Sequence, residues 1–224
     1  ESRVDLGIPG AFEDAGDLQN MESPEAYDHI QSAIAQIIEN KKRPLSLGGD
    51  HSVTFPILKA IGKRIPGITL VDFDAHADLY ANYENNPHSH ASPFARICEA
   101  NLVQRLVQIG VRTLNAHQRS QAEKYDVEIY DMQNLPEPAA LKLTGPIYVS
   151  FDLDVLDPAF APGISHWEPG GLTTREAIRY LQVLPAPIIG ADLVEFNPVR
   201  DSSGFTATVA AKILKELLGK MIAV

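Results

Sequence analysis

The chain has 224 residues, enough for a single α/β domain with a substantial core. Its 29 acidic side chains against 19 basic ones give a formal charge of −10, which argues against a nucleic-acid partner, because neutralising phosphates needs clustered Lys and Arg. No apolar run approaches the roughly 18 residues of a membrane span, and the single cysteine, Cys98, excludes an internal disulfide framework and fits a reducing compartment. The sequence begins at Glu1, without a basic start leading into an apolar stretch and a cleavage site. The expected location is the cytoplasm, or an organelle if a transit peptide has been removed.

Short apolar runs alternate with segments of helical period, the pattern of a parallel sheet covered by helices. In chain order, a helix over 24–40 opens at Ser23 and Pro24, a strand follows over 44–47, then a helix over 53–63 and a strand over 68–72. Next come a helix over 93–101, a strand over 106–111, a helix over 118–125 and strands over 127–130 and 146–151. A helix over 174–183 starting after Thr173, a strand over 187–194 and a helix over 206–221 complete the pattern. Several strands are near-continuous Val- and Ile-rich runs, as expected where both faces are buried. No repeat, low-complexity tract or long linker divides the chain. The expected fold is α/β, a three-layer αβα arrangement around a mainly parallel sheet, as one domain over 1–224.

In open parallel sheets, ligands bind beyond the carboxyl ends of the strands. Three clusters sit at such ends: Gly48-Gly49-Asp50-His51-Ser52, Asp72-Phe73-Asp74-Ala75-His76-Ala77-Asp78, and Ser150-Phe151-Asp152-Leu153-Asp154-Val155-Leu156-Asp157-Pro158. Asp74, His76 and Asp78 are two residues apart, as are Asp152 and Asp154; in extended backbone that spacing sends side chains to one side. Converging carboxylates repel one another unless a cation neutralises them. Mixed carboxylate and imidazole donors suit Mn²⁺ better than Ca²⁺, which prefers oxygen alone. Four carboxylates and two imidazoles favour two ions sharing bridging carboxylates, a pairing that can activate water near neutral pH. Taken singly, an Asp-x-Asp after a strand is a turn or a cap, and a lone His is a packed core residue. Gly48-Gly49 lacks the spacing of a dinucleotide site and serves close backbone approach.

These clusters resemble the signatures of the ureohydrolase family of arginases and agmatinases. Ser89-His90-Ala91-Ser92-Pro93-Phe94, Glu168-Pro169-Gly170-Gly171-Leu172 and Val194-Glu195-Phe196-Asn197-Pro198 add to the resemblance, and Ser165-His166-Trp167 is closest to plant arginases and bacterial agmatinase-like proteins. The resemblance implies an arginase-like fold and two Mn²⁺ ions, one held by His51, Asp74, Asp78 and Asp152, the other by His76, Asp74, Asp152 and Asp154. It further implies that Glu195 grips the substrate guanidinium, that Asp78 relays a proton and that His90 shuttles one. The implied reaction hydrolyses the guanidino C–N bond of a small cationic substrate, agmatine or L-arginine, and releases urea. Alternatives are another guanidino or formimino acid as substrate, or a non-catalytic metal-binding homologue. A homo-oligomer, trimer or hexamer, is implied as well, with neither nucleic acid nor membrane as partner.

The family's long segment before the Gly16-Asp17 pair is here either short or absent. His88 and His166 are expected on loops that rim the site, Asp50 as a brace for its loop, Asp157-Pro158 as a turn, and Cys98 and Trp167 in packing. His29 and His117 carry no functional signal.

Overall fold

The computed structural model describes residues 5–21, 23, 25–185 and 188–222. The strands are β1 (Leu45–Leu47), β2 (Thr69–Phe73), β3 (Arg105–Val111), β4 (Glu128–Asp131), β5 (Ile147–Asp152) and β6 (Ile188–Val194). They form one sheet in the order β1-β6-β5-β2-β3-β4, and every pairing is parallel. The helices are α1 (Ala26–Glu39), α2 (Thr54–Gly62), α3 (Pro93–Glu99), α4 (Ala116–Tyr125), α5 (Thr174–Val183) and α6 (Phe205–Ile222).

Alternation along the strands divides the core in two. Val71, Phe73, Val149 and Phe151 face one side, where they pack with Ile178 and Leu181 of α5 and Ile213 and Leu217 of α6. Leu70, Leu106 and Tyr148 face the other, against Ile30 and Ile34 of α1, Ile57 and Ile61 of α2, and Phe94 and Ile97 of α3. This is the expected three-layer αβα arrangement. Each such fully buried side chain contributes about 1.5–3 kcal/mol through burial.

Local chemistry sets the element boundaries. Thr173 caps α5 in a reciprocal box with Glu176, as its position before the helix predicts. Asn115 does the same for α4 with Gln118, so that helix opens at Ala116, two residues earlier than the apolar period suggests. The expected helix over 93–101 ends at Glu99, because Asn101 takes a left-handed backbone (φ 51°) and turns the chain. Pro24 and Pro187, expected to open α1 and β6, lie outside the described residues.

From β2 the chain winds outward to β3 and β4, then returns to place β5 on the other flank of β2. The crevice between the ends of β2 and β5 is therefore a switch point of the sheet, where diverging loops leave room for a ligand. Phe73 and Phe151 are register partners with stacked rings 5.3 Å apart, which sets Asp74 and Asp152 side by side at that crevice.

Candidate metal centre and substrate cleft

The six predicted ligands converge here. His51 Nδ1 lies 3.1 Å from Asp74 Oδ2, 3.3 Å from Asp78 Oδ2 and 3.2 Å from Asp152 Oδ2. His76 Nδ1 lies 2.9 Å from Asp154 Oδ2 and 3.5 Å from Asp74 Oδ1. Asp74 thus presents one oxygen to each imidazole. Two ligand groups result, His51-Asp74-Asp78 and Asp74-His76-Asp154, each with donor atoms within 4.8 Å of one another.

Strand alternation is not what brings them together, contrary to the spacing argument. β2 ends at Phe73, and the following segment is tied down residue by residue. His76 N donates to Asp74 Oδ1 (2.6 Å), Ala75 N to Asp154 Oδ1 (3.0 Å), and Asp78 takes a left-handed backbone (φ 46°). Asp152 closes β5, while Asp154 sits in the 3₁₀ turn Leu153–Val155, its N–H bonded to Asp152 Oδ1 (2.8 Å). Asp50 braces its loop as expected, accepting from Ser52 N (3.0 Å) at the start of the His51–Val53 turn.

Electrostatics make the cluster costly without a cation. Burial raises the pKa of Asp78 to about 7, reinforced by repulsion from Asp74, and burial likewise holds Asp152 well above the ordinary carboxylate range and Asp154 above it. For His51, burial opposes the charged ring but the carboxylates of Asp152, Asp74 and Asp78 outweigh it, so its pKa stands well above normal. His76 is pushed up to about 12 in the same way, by Asp154 and Asp74 against burial. His51 Nδ1 and Asp74 Oδ2 are buried yet make no aligned hydrogen bond. Each such orphan costs about 1–3 kcal/mol. A divalent cation at the point where these atoms converge would satisfy both, so the residues present fit the implied metal pair.

Behind the cluster lies a layer that motif reading missed. His51 Nε2 meets Ser150 Oγ at 2.8 Å, and Ser150 Oγ donates to Asp192 Oδ1 at 2.7 Å. Tyr148 OH (2.8 Å) and Thr54 Oγ1 (3.1 Å) donate to Asp192 Oδ2. Gln108 Nε2 bridges Asp72 Oδ2 and the Ala77 carbonyl, both at 2.9 Å. The half-buried Arg112 guanidinium donates to the carbonyls of Asp154 (2.6 Å), Glu168 (2.8 Å) and Gly110 (3.2 Å), pinning the turn that carries Asp154. The available signals were a polar residue inside an apolar strand, as at Ser150, Asp192 and Gln108.

The cluster floors a cleft of about 440 Å³. Its walls include Glu195 and His90, as expected, together with Tyr80, Tyr83, His166 and Glu168. Glu195 Oε1 accepts from His51 N at 2.8 Å, on a left-handed backbone (φ 65°). The His90 and His166 rings stack at 5.4 Å and 17°, and His166 stands edge-on to His76 at 6.1 Å. His88 departs from expectation: it is absent from the cleft lining and stacks on Phe55 at 5.8 Å. Trp167 also departs, being 55% exposed, with Arg200 over its ring at 5.1 Å and its Nε1 bonded to the Pro162 carbonyl (3.0 Å). Flanked by cleft-facing His166 and Glu168, it is turned outward. Asp157 makes the expected turn, accepting from Ala159 N (2.9 Å) and Gly170 N (2.6 Å). Cys98 packs in the second core cluster, where burial raises its thiol pKa to about 12. Among the described residues, no helix is long and apolar enough to cross a membrane.

Comparison with known proteins agrees with this geometry. Residues 7–219 match the Arginase family. The chain is 48% identical over 192 residues to "Arginase, mitochondrial" of Medicago truncatula, covering 82% of this chain and 57% of that protein. It is 36% identical over 213 residues to an agmatinase of Bacillus cereus, covering 92% and 73%. Among solved structures, arginase from Medicago truncatula aligns with a TM-score of 0.84 at 44% identity, over 88% of this chain and 65% of that one. Formimidoylglutamase from Bacillus subtilis aligns at 0.82 and 28% identity, over 92% and 70%. The chain thus spans somewhat over half the length of the Medicago relative. With a family match over nearly the whole sequence and a cluster of carboxylates and imidazoles at the sheet's switch point, the chain belongs to the arginase family.

Proposed function

We propose that the chain is a manganese-dependent ureohydrolase that cleaves the guanidino C–N bond of a small cationic substrate and releases urea. The observation that supports this most is Asp74, which faces a different imidazole with each oxygen, buried behind a cleft that Asp78, Asp152, Asp154 and Glu195 line. His51, Asp74, Asp78 and Asp152 would hold one ion, and His76, Asp74, Asp152 and Asp154 the other. Bound there, a divalent pair would supply Lewis acidity and lower the pKa of a water towards neutral pH.

The chain's own residues do the rest. Glu195 spends Oε1 on His51 N, which leaves Oε2 for the N–H fork of a guanidinium. Asp78 would take a proton from the attacking water and pass it through a carboxylate oxygen to the departing amine, and His90, which lines the same cleft, would carry to solvent the separate proton released when the next water is activated. His51 is oriented for its role by Ser150, because the bond at Nε2 leaves Nδ1 facing the carboxylates.

Asp78, Asp152, Asp154, Glu168 and Glu195 line the cleft, and among the described lining residues there is neither Lys nor Arg. That lining suits a cation and offers no fixed positive charge for an α-carboxylate, which favours agmatine. L-Arginine is the second reading, supported by the higher identity to a relative named arginase than to one named agmatinase.

The test is to load the protein with manganese and measure urea release from agmatine, L-arginine and 4-guanidinobutyrate, with formimidoylglutamate as a further substrate assayed for formamide. Urea from agmatine or L-arginine supports the reading. Formamide alone transfers the chain to formimino substrates, and no turnover of any of the four, with metal bound, overturns it.

A further inference from the structure

Beyond the metal cluster and Glu195, the cleft has an aromatic wall that the reaction itself does not require. Tyr80 and Tyr83 both line it, with ring centroids 5.1 Å apart and planes tilted by 53°. Both are held in place by their surroundings. Tyr80 stacks on His117 at 5.7 Å and 19°, its hydroxyl accepts from Asn115 Nδ2 (2.5 Å), and His117 Nε2 in turn accepts from Ala81 N (3.2 Å). Tyr83 opens a tight turn closed by reciprocal backbone bonds with Asn86, at 3.3 and 2.9 Å. The two central residues of that turn, Glu84 and Asn85, have φ of 51° and 62°, the double left-handed backbone of a type I′ turn. Tyr83 also meets the His90 ring edge-on at 5.9 Å, which links this wall to the reacting end of the cleft.

Two tilted, anchored phenol rings present electron-rich faces, which attract an ammonium within about 6 Å of a ring centroid. Once a divalent pair has neutralised Asp78, Asp152 and Asp154, the carboxylates left on the lining are Glu195 and Glu168. Glu195 is taken by the guanidinium. Glu168 and the tyrosine pair are then left to meet the far end of the substrate.

We propose that Tyr80 and Tyr83, with Glu168, form a subsite for a primary ammonium, so that the cleft selects guanidines with a cationic far end over those ending in a carboxylate. This rests on the guanidine-hydrolase reading only for which end of the ligand lies at the metals. The discriminating chemistry is a terminal –NH₃⁺ at the end of the ligand remote from the metals. A terminal carboxylate would meet the negative ring faces and Glu168, and is rejected.

The experiment uses the manganese-loaded full chain and calorimetric titration with two unreactive probes, 1,4-diaminobutane and 4-aminobutyrate. They share one ammonium end and differ in the charge of the other. The expected result is at least tenfold tighter binding of the diamine. Tyr83→Leu should weaken diamine binding by about 2- to 30-fold, the range of a cation–π contact, and Tyr83→Phe, which keeps the ring, should recover most of that loss. Tyr80→Leu gives a second reading should the turn at Tyr83 fail to form, and manganese content is measured in every variant. Equal affinity for the two probes, or diamine binding unchanged in both leucine variants, overturns the subsite. Urea release with indifferent probe binding removes the subsite and leaves the reaction standing. Ring-dependent diamine binding without urea from any guanidine does the reverse.

Discussion

The backbone N–H of His51 donates a 2.8 Å hydrogen bond to Oε1 of Glu195, and Glu195 N returns one of 3.0 Å to the Gly49 carbonyl, so the loop after β1 and the end of β6 are laced together. The residue proposed to grip substrate is thereby fixed to a residue proposed to grip metal. Glu195→Gln keeps an acceptor for His51 N while removing the charge. KM for the guanidine substrate should rise about 10- to 100-fold, the worth of a charge-assisted hydrogen bond, with manganese content unchanged. Steady-state kinetics alongside metal analysis check this; loss of metal would show that the lacing, and not the charge, is what Glu195 supplies.

Ser150 is the bridge between His51 Nε2 and buried Asp192. Ser150→Ala leaves that nitrogen without its partner and the ring free to rotate. Manganese affinity of the His51 group should fall about 10- to 100-fold, with the His76 group less affected. A two-site metal titration read by paramagnetic resonance separates the two; equal weakening of both would contradict the division.

Metal uptake should release protons. In the metal-free chain His76 has its pKa near 12 and His51 well above normal, so both rings carry a proton at neutral pH, and Asp78, near 7, is partly protonated. Ligation needs each of these groups deprotonated. The sign follows: metal competes with protons, so apparent affinity increases as pH rises and falls as pH drops below 7. Titration calorimetry in buffers of different ionisation enthalpy counts the protons; a pH-independent affinity would refute the charge states given above.

Gly171 is packed where no side chain fits. A methyl group there would lie 2.6 Å from the Val155 carbonyl oxygen and 2.7 Å from both Arg112 Nη2 and Asp157 N. Gly171→Ala should destabilise the fold by about 1–3 kcal/mol, lowering Tm by roughly 2–4 °C per kcal/mol for a domain of this size. Thermal unfolding measures it, and an unchanged Tm would mean that the Arg112 web yields easily.

The six ligand candidates are legible in the sequence because each lies at a short offset from an apolar strand, and strand ends are where such sheets place their sites; Glu195 is legible only through the family resemblance of Val194-Glu195-Phe196-Asn197-Pro198. The all-parallel sheet is legible for a similar reason, since buried strands read as unbroken Val/Ile runs. What joins distant strands is not. Ser150 with Asp192 and Arg112 with Glu168 pair across 42 and 56 residues; a polar residue inside an apolar strand marks Ser150 and Asp192, but nothing local says which distant residue each one meets. The spacing of Asp74, His76 and Asp78 suggests the right convergence for the wrong reason, because a pinned loop, not an extended strand, aims them. His88, expected at the rim, and Trp167, expected in packing, show the limit of loop reading: on each of their two loops, which side chain turns inward depends on neighbours such as Phe55 and Arg200.

The strand order also dictates when the centre comes into being. Ala75 and Asp154 meet across 79 residues, and His51 and Glu195 across 144, so assembly must wait for the most distant pairings in the chain. Such non-local contacts form late and slowly, since loop closure costs entropy before any contact offsets it. A chain in which β6 had not docked would lack the strand that holds β1 and the His51 loop, so metal uptake at the proposed centre would report completed folding.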